Sequence, residues 1–241
     1  MSRKFLIPLV AVAVLVVLAA AGAYAYFFSG LRTSPSALTL PTPSTTAIAS
    51  PTPTSASGGI VWQITSGSLA GYRVKEQFVG QSSAHEAVAR TSGVTGKVTI
   101  TQSGSTYTMT SAQVTVQLSG LASVDSVAGY NVTNRDRIVQ GALDVSSYPT
   151  ATFVAQSVTL PAGADSGQAV NVSVPGQLTV HGVTKDVTAS VQLRVSNGTA
   201  QLAGSISTNM TDFGVNPPTI GFTTVQPAVT IEFALVLTQT Q

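Results

Sequence analysis

The sequence predicts an all-β, antiparallel domain carried behind an apolar N-terminal segment and a Pro/Ser/Thr-rich connection. Three observations carry that prediction. Between residues 60 and 241, run after run alternates apolar and polar with a period of two, so each run presents one apolar face. Short turns containing Gly and Ser separate the runs. Only 8% of the chain is charged, which suits strands whose edges are paired rather than defended by charge. The last point favours a barrel, while a sandwich stays open. About eight strands close around space for packed side chains or for one small ligand.

Residues 5–28 hold no charged side chain over 24 positions. As a helix they would extend about 36 Å, enough for a hydrocarbon core of about 30 Å with some tilt. Arg3 and Lys4 precede the run, placing the N-terminus in the cytoplasm by the positive-inside rule. Tyr24, Tyr26, Phe27 and Phe28 sit at its far end, where interfacial aromatics belong. The expectation for 1–28 is a transmembrane signal-anchor. A cleaved signal peptide with an A-x-A site at residues 21–23 or 23–25 is the alternative, although its apolar core would be shorter. On either reading the remainder is extracytoplasmic.

Residues 29–59 contain Pro35, Pro41, Pro43, Pro51 and Pro53 among Ser, Thr and Ala, with Arg32 as the single charge. Such a segment has little apolar surface to offset its ordering entropy, and it reads as a disordered linker. Residues 60–241 then form one domain. It carries eight Lys/Arg against nine Asp/Glu, a net charge of −1, so the basic character of the chain lies outside it and nucleic acid is not an expected partner. The absence of cysteine excludes disulfides and thiol chemistry.

Within the domain, Ile60, Trp62 and Ile64 alternate in a first run, and Tyr72, Val74 and Phe78 follow in a second. Val98 and Ile100 lead through residues 102–105 into Tyr107 and Met109. Val114, Val116 and Leu118 are out of phase with these by one, which predicts a bulge near Ser111 and Ala112. Residues 131–140 break the pattern and predict a short helix, with Thr133 as N-cap and Asp136 in the first turn. Strands follow at 153–160, 170–180, 187–195, 199–208 and 225–237. In the last of these, Val229, Ile231, Phe233, Leu235 and Leu237 share one face. The strongest hairpin joins Leu178 and Val180 to the strand beginning near Val187, across a turn containing Gly182.

Several segments together resemble the YceI-like family. They are Trp62-Gln63-Ile64, Tyr72-Arg73-Val74, Gly93-Val94-Thr95-Gly96, Arg135-Asp136, Pro149 to Phe153, the hairpin LTVHGVTK from Leu178 to Lys185, Asp212-Phe213-Gly214, and Thr230 to Phe233. The resemblance covers some 175 residues and implies an eight-stranded lipocalin-like barrel with a short helix in one connection. It also implies a ligand, a polyisoprenoid or similar amphiphilic chain, and no other cofactor. Many relatives read R-D-x-H-L followed by F-F-D, where this chain has Arg135-Asp136-Arg137-Ile138 and Leu143-Asp144.

A hollow barrel would draw its ligand-binding wall from Tyr72, Val74, Phe78, Val116, Leu118, Phe153, Leu178, Val180, Val191, Leu193, Ile231 and Phe233. Arg135 and Arg137 would stand near the mouth as contacts for an anionic head group, against the plainer reading of a solvated helix face paired with Asp136. His85 and His181 read as isolated, so that replacing both should leave folding nearly unchanged. Two histidines and no cysteine give no metal site, and no nucleophile elbow or carboxylate pair points to an enzyme. The expected partners are an amphiphilic lipid and the membrane reached through the N-terminal helix, with a homodimer left open. The second functional reading is an exported structural or protein-interaction domain with a filled core.

Overall fold

A computed structural model describes residues 3–28, 32–41, 59–79, 84–127, 131–221 and 223–240. Eight antiparallel strands close into an up-and-down barrel. β1 runs as Ile60–Ile64 and, after a break, Leu69–Phe78; β2 as His85–Thr91 and Val94–Ser103. β3 is Thr106–Gln117, β4 Thr150–Ala155, β5 Val170–Val180, β6 Val183–Ser196, β7 Thr199–Asn209 and β8 Thr223–Gln239. Each strand pairs with the next in sequence, and β8 closes the ring. Its one edge bonds β7, with Gly204 opposite Phe233, and its other edge bonds β1, with Tyr72 opposite Ile231. Closure satisfies the edge-strand amides that would otherwise template aggregation, which explains how so weakly charged a surface is tolerated.

The irregularities have local causes. Thr99 faces Ser111 but Ile100 faces Met109, so Thr110 is the extra residue of a bulge, and the phase change of Val114 and Val116 follows from it. β8 slips again between Val225 and Val229, around Pro227, which has no amide to give the ladder. The β5–β6 hairpin turns on two residues, His181 and Gly182, with φ of 51° and 72°. Two positive φ values are what a two-residue I′ turn needs, and glycine takes the second at no steric cost. The first half of β2 is a strand that the alternation did not reveal, because its inward residues include Ala87 and Ala89, too small to mark a face.

Among the described residues, two α-helices lie outside the wall. α1, Arg3–Phe28, precedes the barrel, and its described side chains, residues 12–24, are all exposed. Among the residues with described side chains, no helix is long and apolar enough to cross a membrane. α2, Thr133–Ala142, lies in the β3–β4 connection. Thr133 is its first helical residue rather than its N-cap. The cap position is Val132, and the Asn131 carboxamide oxygen accepts the Thr133 amide at 3.1 Å, relieving one unpaired N–H. Asp136 is in the first turn as expected, but its carboxylate reaches across to the Ser123 amide, at 2.9 Å, and hydroxyl, at 2.6 Å.

The connection expected to lack structure is partly held. Residues 32–41 run extended along the outer wall, beginning with a two-residue antiparallel pairing of Arg32 with Val127 and Thr33 with Ser126. The Arg73, Arg90 and Arg194 guanidiniums donate to the carbonyls of Pro35, Ser36 and Pro41, and the Leu38 amide donates to Glu232 at 3.2 Å. Residues 29–31 and 42–58, the rest of that connection, lie outside the described residues.

Candidate functional site: a cavity along the barrel axis

The barrel is hollow. Its interior encloses a cavity of about 800 Å³, within the range of pockets that swallow a small ligand. All twelve residues expected on an inner wall line it: Tyr72, Val74 and Phe78 from β1, Val116 and Leu118 at the end of β3, and Phe153 from β4. Leu178 and Val180 come from β5, Val191 and Leu193 from β6, and Ile231 and Phe233 from β8. Two of the aromatic rings need glycine beside them. A Cβ at Gly204 would sit 2.8 Å from the Phe233 ring, and one at Gly176 would sit 2.6 Å from that of Phe153. The wall is aliphatic along most of its length.

Polar groups gather toward the α2 end. Arg135 and Arg137 both line the cavity there. Arg137 is exposed, while Arg135 is committed to the protein: it donates to Glu76 at 2.7 Å and also to Asp125, with further bonds to the Ser123 hydroxyl. Burial works against the charge on Arg135, but its bonds to Asp125 and Glu76 outweigh that and hold the guanidinium ionised. Its charge is therefore already balanced. Asp136 is not its principal partner.

His85 corrects the expectation of an isolated side chain. It is 4% exposed and lies 2.7 Å from Asp125, whose second oxygen accepts the Val88 amide at 3.0 Å. Burial alone would raise the Asp125 pKa; hydrogen bonds from His85, Arg135 and the Val88 amide override it and lower it to about 2. An ionised Asp125 makes the His85 Nε2 a donor. His181 is a turn residue, its Nδ1 3.2 Å from the Phe213 carbonyl and its ring edge-on to Tyr148. Among the described residues, two buried hydroxyls have no partner, Tyr72 Oη and Thr223 Oγ1, and both residues line the cavity. Burial also pushes the Tyr72 phenol pKa up, so it stays a neutral donor.

The depressed Asp125 pKa makes a prediction. Its contribution to stability is present above the unfolded value of 3.8 and is lost as pH falls toward 2. That drop is worth about 2 kcal/mol. Urea midpoints measured from pH 6 to pH 2 should fall most steeply between 4 and 2. Asp125→Asn should be less stable at pH 7 and flatter across that window.

Glu76, Asp125 and His85 were missed as a group. One signal was available: Glu76 interrupts the inward series Tyr72, Val74, Phe78, and a carboxylate on an apolar face needs a partner. Nothing in the spacing pointed to Asp125.

The sequence model of the YceI-like domain matches residues 66–237. The chain belongs to the YceI-like family. Among solved structures, a YceI-like barrel of this kind resembles a polyisoprenoid binding domain from Saccharophagus degradans implicated in plant cell wall breakdown. That match has 14% identity and a TM-score of 0.50, covering 73% of this chain and 97% of the other. BcnA of Burkholderia cenocepacia matches at 23% identity and a TM-score of 0.46, over 68% and 95% of the two chains. The YCEI protein of Campylobacter jejuni matches at 15% and 0.36, over 60% and 80%. No curated protein matches the YceI-like chain.

Proposed function

We propose that this YceI-like protein is an extracytoplasmic, membrane-tethered binding protein that holds a long-chain isoprenoid or similar amphiphilic lipid inside its barrel, without catalysis. The observation that carries the reading is the apolar cavity of about 800 Å³ inside the barrel, where a filled core would have left none. Each buried CH₂ of a ligand contributes roughly 0.8 kcal/mol, so a chain of a few isoprene units binds tightly with no polar contact at all. The Saccharophagus degradans domain, which shares the fold, is a polyisoprenoid binding domain. The unpartnered Tyr72 hydroxyl is a ready donor to a carbonyl or hydroxyl oxygen, and the exposed Arg137 supplies charge at the mouth. The tether is residues 5–28, uncharged behind Arg3 and Lys4.

Native mass spectrometry of residues 29–241 purified from a bacterial host, followed by organic extraction, tests the reading. The expected result is a reproducible adduct that extraction identifies as a long-chain lipid. A protein that is reproducibly empty, and that takes up no added isoprenoid, would instead favour an exported interaction domain.

A further inference from the structure

The segment joining the apolar helix to the barrel is bound to the wall in a fixed direction, and that direction orients the barrel. Arg32 and Thr33 pair with Val127 and Ser126, at the end of the barrel that carries α2. Val127 lines the cavity, as do the exposed residues Asn131, Asn134 and Arg137 on and beside α2, so the cavity reaches the surface at this end. From there the strap descends the outside of the barrel. The Ser34 hydroxyl donates to the Glu86 carbonyl, Arg73 and Arg90 take the carbonyls of Pro35 and Ser36, and Leu38 reaches Glu232. Arg194, which takes Pro41, lies close to the β6–β7 turn at the opposite end.

Only four peptide steps separate Phe28, the last residue of α1, from Arg32. A fully extended chain spans at most about 14 Å in that distance. The opposite end of the barrel is roughly 30 Å farther away, from the rise and tilt of strands of this length. A second observation marks the same end. Of the four large apolar side chains exposed on the described residues of the barrel, three are there: Val79, Val124 and Tyr148.

Resting on the reading of α1 as the membrane tether, we propose that the α2 end of the barrel is a docking surface for the bilayer in which α1 sits. The strap holds the mouth against the lipid head groups. Lipid then passes between leaflet and cavity without crossing water, and the barrel does not roam on a 31-residue tether.

The chain has no cysteine, so single labels are clean. Full-length protein carrying Val124→Cys or Val79→Cys at the α2 end, or Ser105→Cys at the opposite end, is labelled with a fluorophore. It is then reconstituted in phosphatidylcholine vesicles containing a nitroxide head-group lipid. Quenching at positions 124 and 79 should exceed that at 105 by at least twofold. Inserting twelve Gly/Ser residues between Gly30 and Leu31 leaves every strap contact in place and should bring position 124 down to the level of 105. Equal quenching at both ends in protein that floats with the vesicles overturns the orientation alone. Protein that does not float overturns the tether and the orientation together.

Discussion

Glu232→Ala should destabilise the barrel by about 3–5 kcal/mol and free the strap from its wall. Glu232 projects from the outer face of β8, yet it is 2% exposed, because residues 32–41 cover it. Its two oxygens take the Arg73 Nε at 2.6 Å and the Arg90 Nε at 2.7 Å, and one also accepts the Leu38 amide. Removing the carboxylate leaves two guanidiniums facing a low-dielectric pocket, with Glu86 able to answer only Arg73, at 2.6 Å. Burial opposes the charge on Arg73, and the bonds from Glu232 and then Glu86 are what sustain it. The loss is read as a fall in the urea midpoint, together with new chymotryptic cleavage after Leu38. Replacing Arg90 and Glu232 together by Met separates the charge from the packing, because Glu86 still pairs with Arg73. If burying unpaired charge is the cost, the double variant recovers most of the stability lost in the single one. A Glu232→Ala protein as stable as the parent, with an uncut strap, would show that the strap is held by something else.

That pocket also shows where the sequence stopped being legible. The inner wall could be read because one physical variable, alternation with period two, records which face of a strand meets the interior. Val229, Ile231, Phe233, Leu235 and Leu237 declare themselves by it, and the one-residue phase change before Val114 places the bulge one or two residues from Thr110, where it lies. The strap leaves no such record. Its anchors are the carbonyls of Pro35, Ser36 and Pro41, backbone groups that every sequence has, so a Pro/Ser/Thr composition speaks only of missing apolar surface. The outward arginines 73, 90 and 194 look like solvated strand residues until something is laid over them. The acidic cluster is an intermediate case. Glu76 breaks an apolar face and calls for a partner, but Arg135, Asp125 and His85 are 59, 49 and 9 residues away in the chain, and the β1–β2 hairpin and the β3–β4 connection bring them together. Whether the barrel is hollow was beyond reach for another reason: the same aliphatic residues line a cavity or fill one, and strand number and tilt decide between them.

The cavity itself is tested hardest from β6. Val191 lines it, is buried, and lies opposite Val172 on one side and Gly204 on the other, with Ala189, Val174 and Ile206 in the same cluster. Val191→Asp sets a carboxylate on that wall with no donor among these neighbours. The penalty is several kcal/mol, taken from lipid retention, from folding, or from both. A buried carboxyl of this kind escapes by staying protonated, so its pKa in the folded state rises above the unfolded value. The sign then follows: the variant is closest to the parent below about pH 4 and falls away from it as pH rises through the raised folded value. Two companions isolate the cause. Gln192→Asp, one residue along and exposed on the outer face, should change stability by less than about 0.5 kcal/mol. Val191→Asn keeps the shape and polarity of the aspartate without its charge, and should lose less at pH 7 while showing no dependence between pH 4 and 8. Urea unfolding over that range and native mass spectrometry of the same samples give both readouts. An aspartate at 191 that is as harmless as one at 192 would mean that water already fills the barrel, and that no apolar chain is its resident.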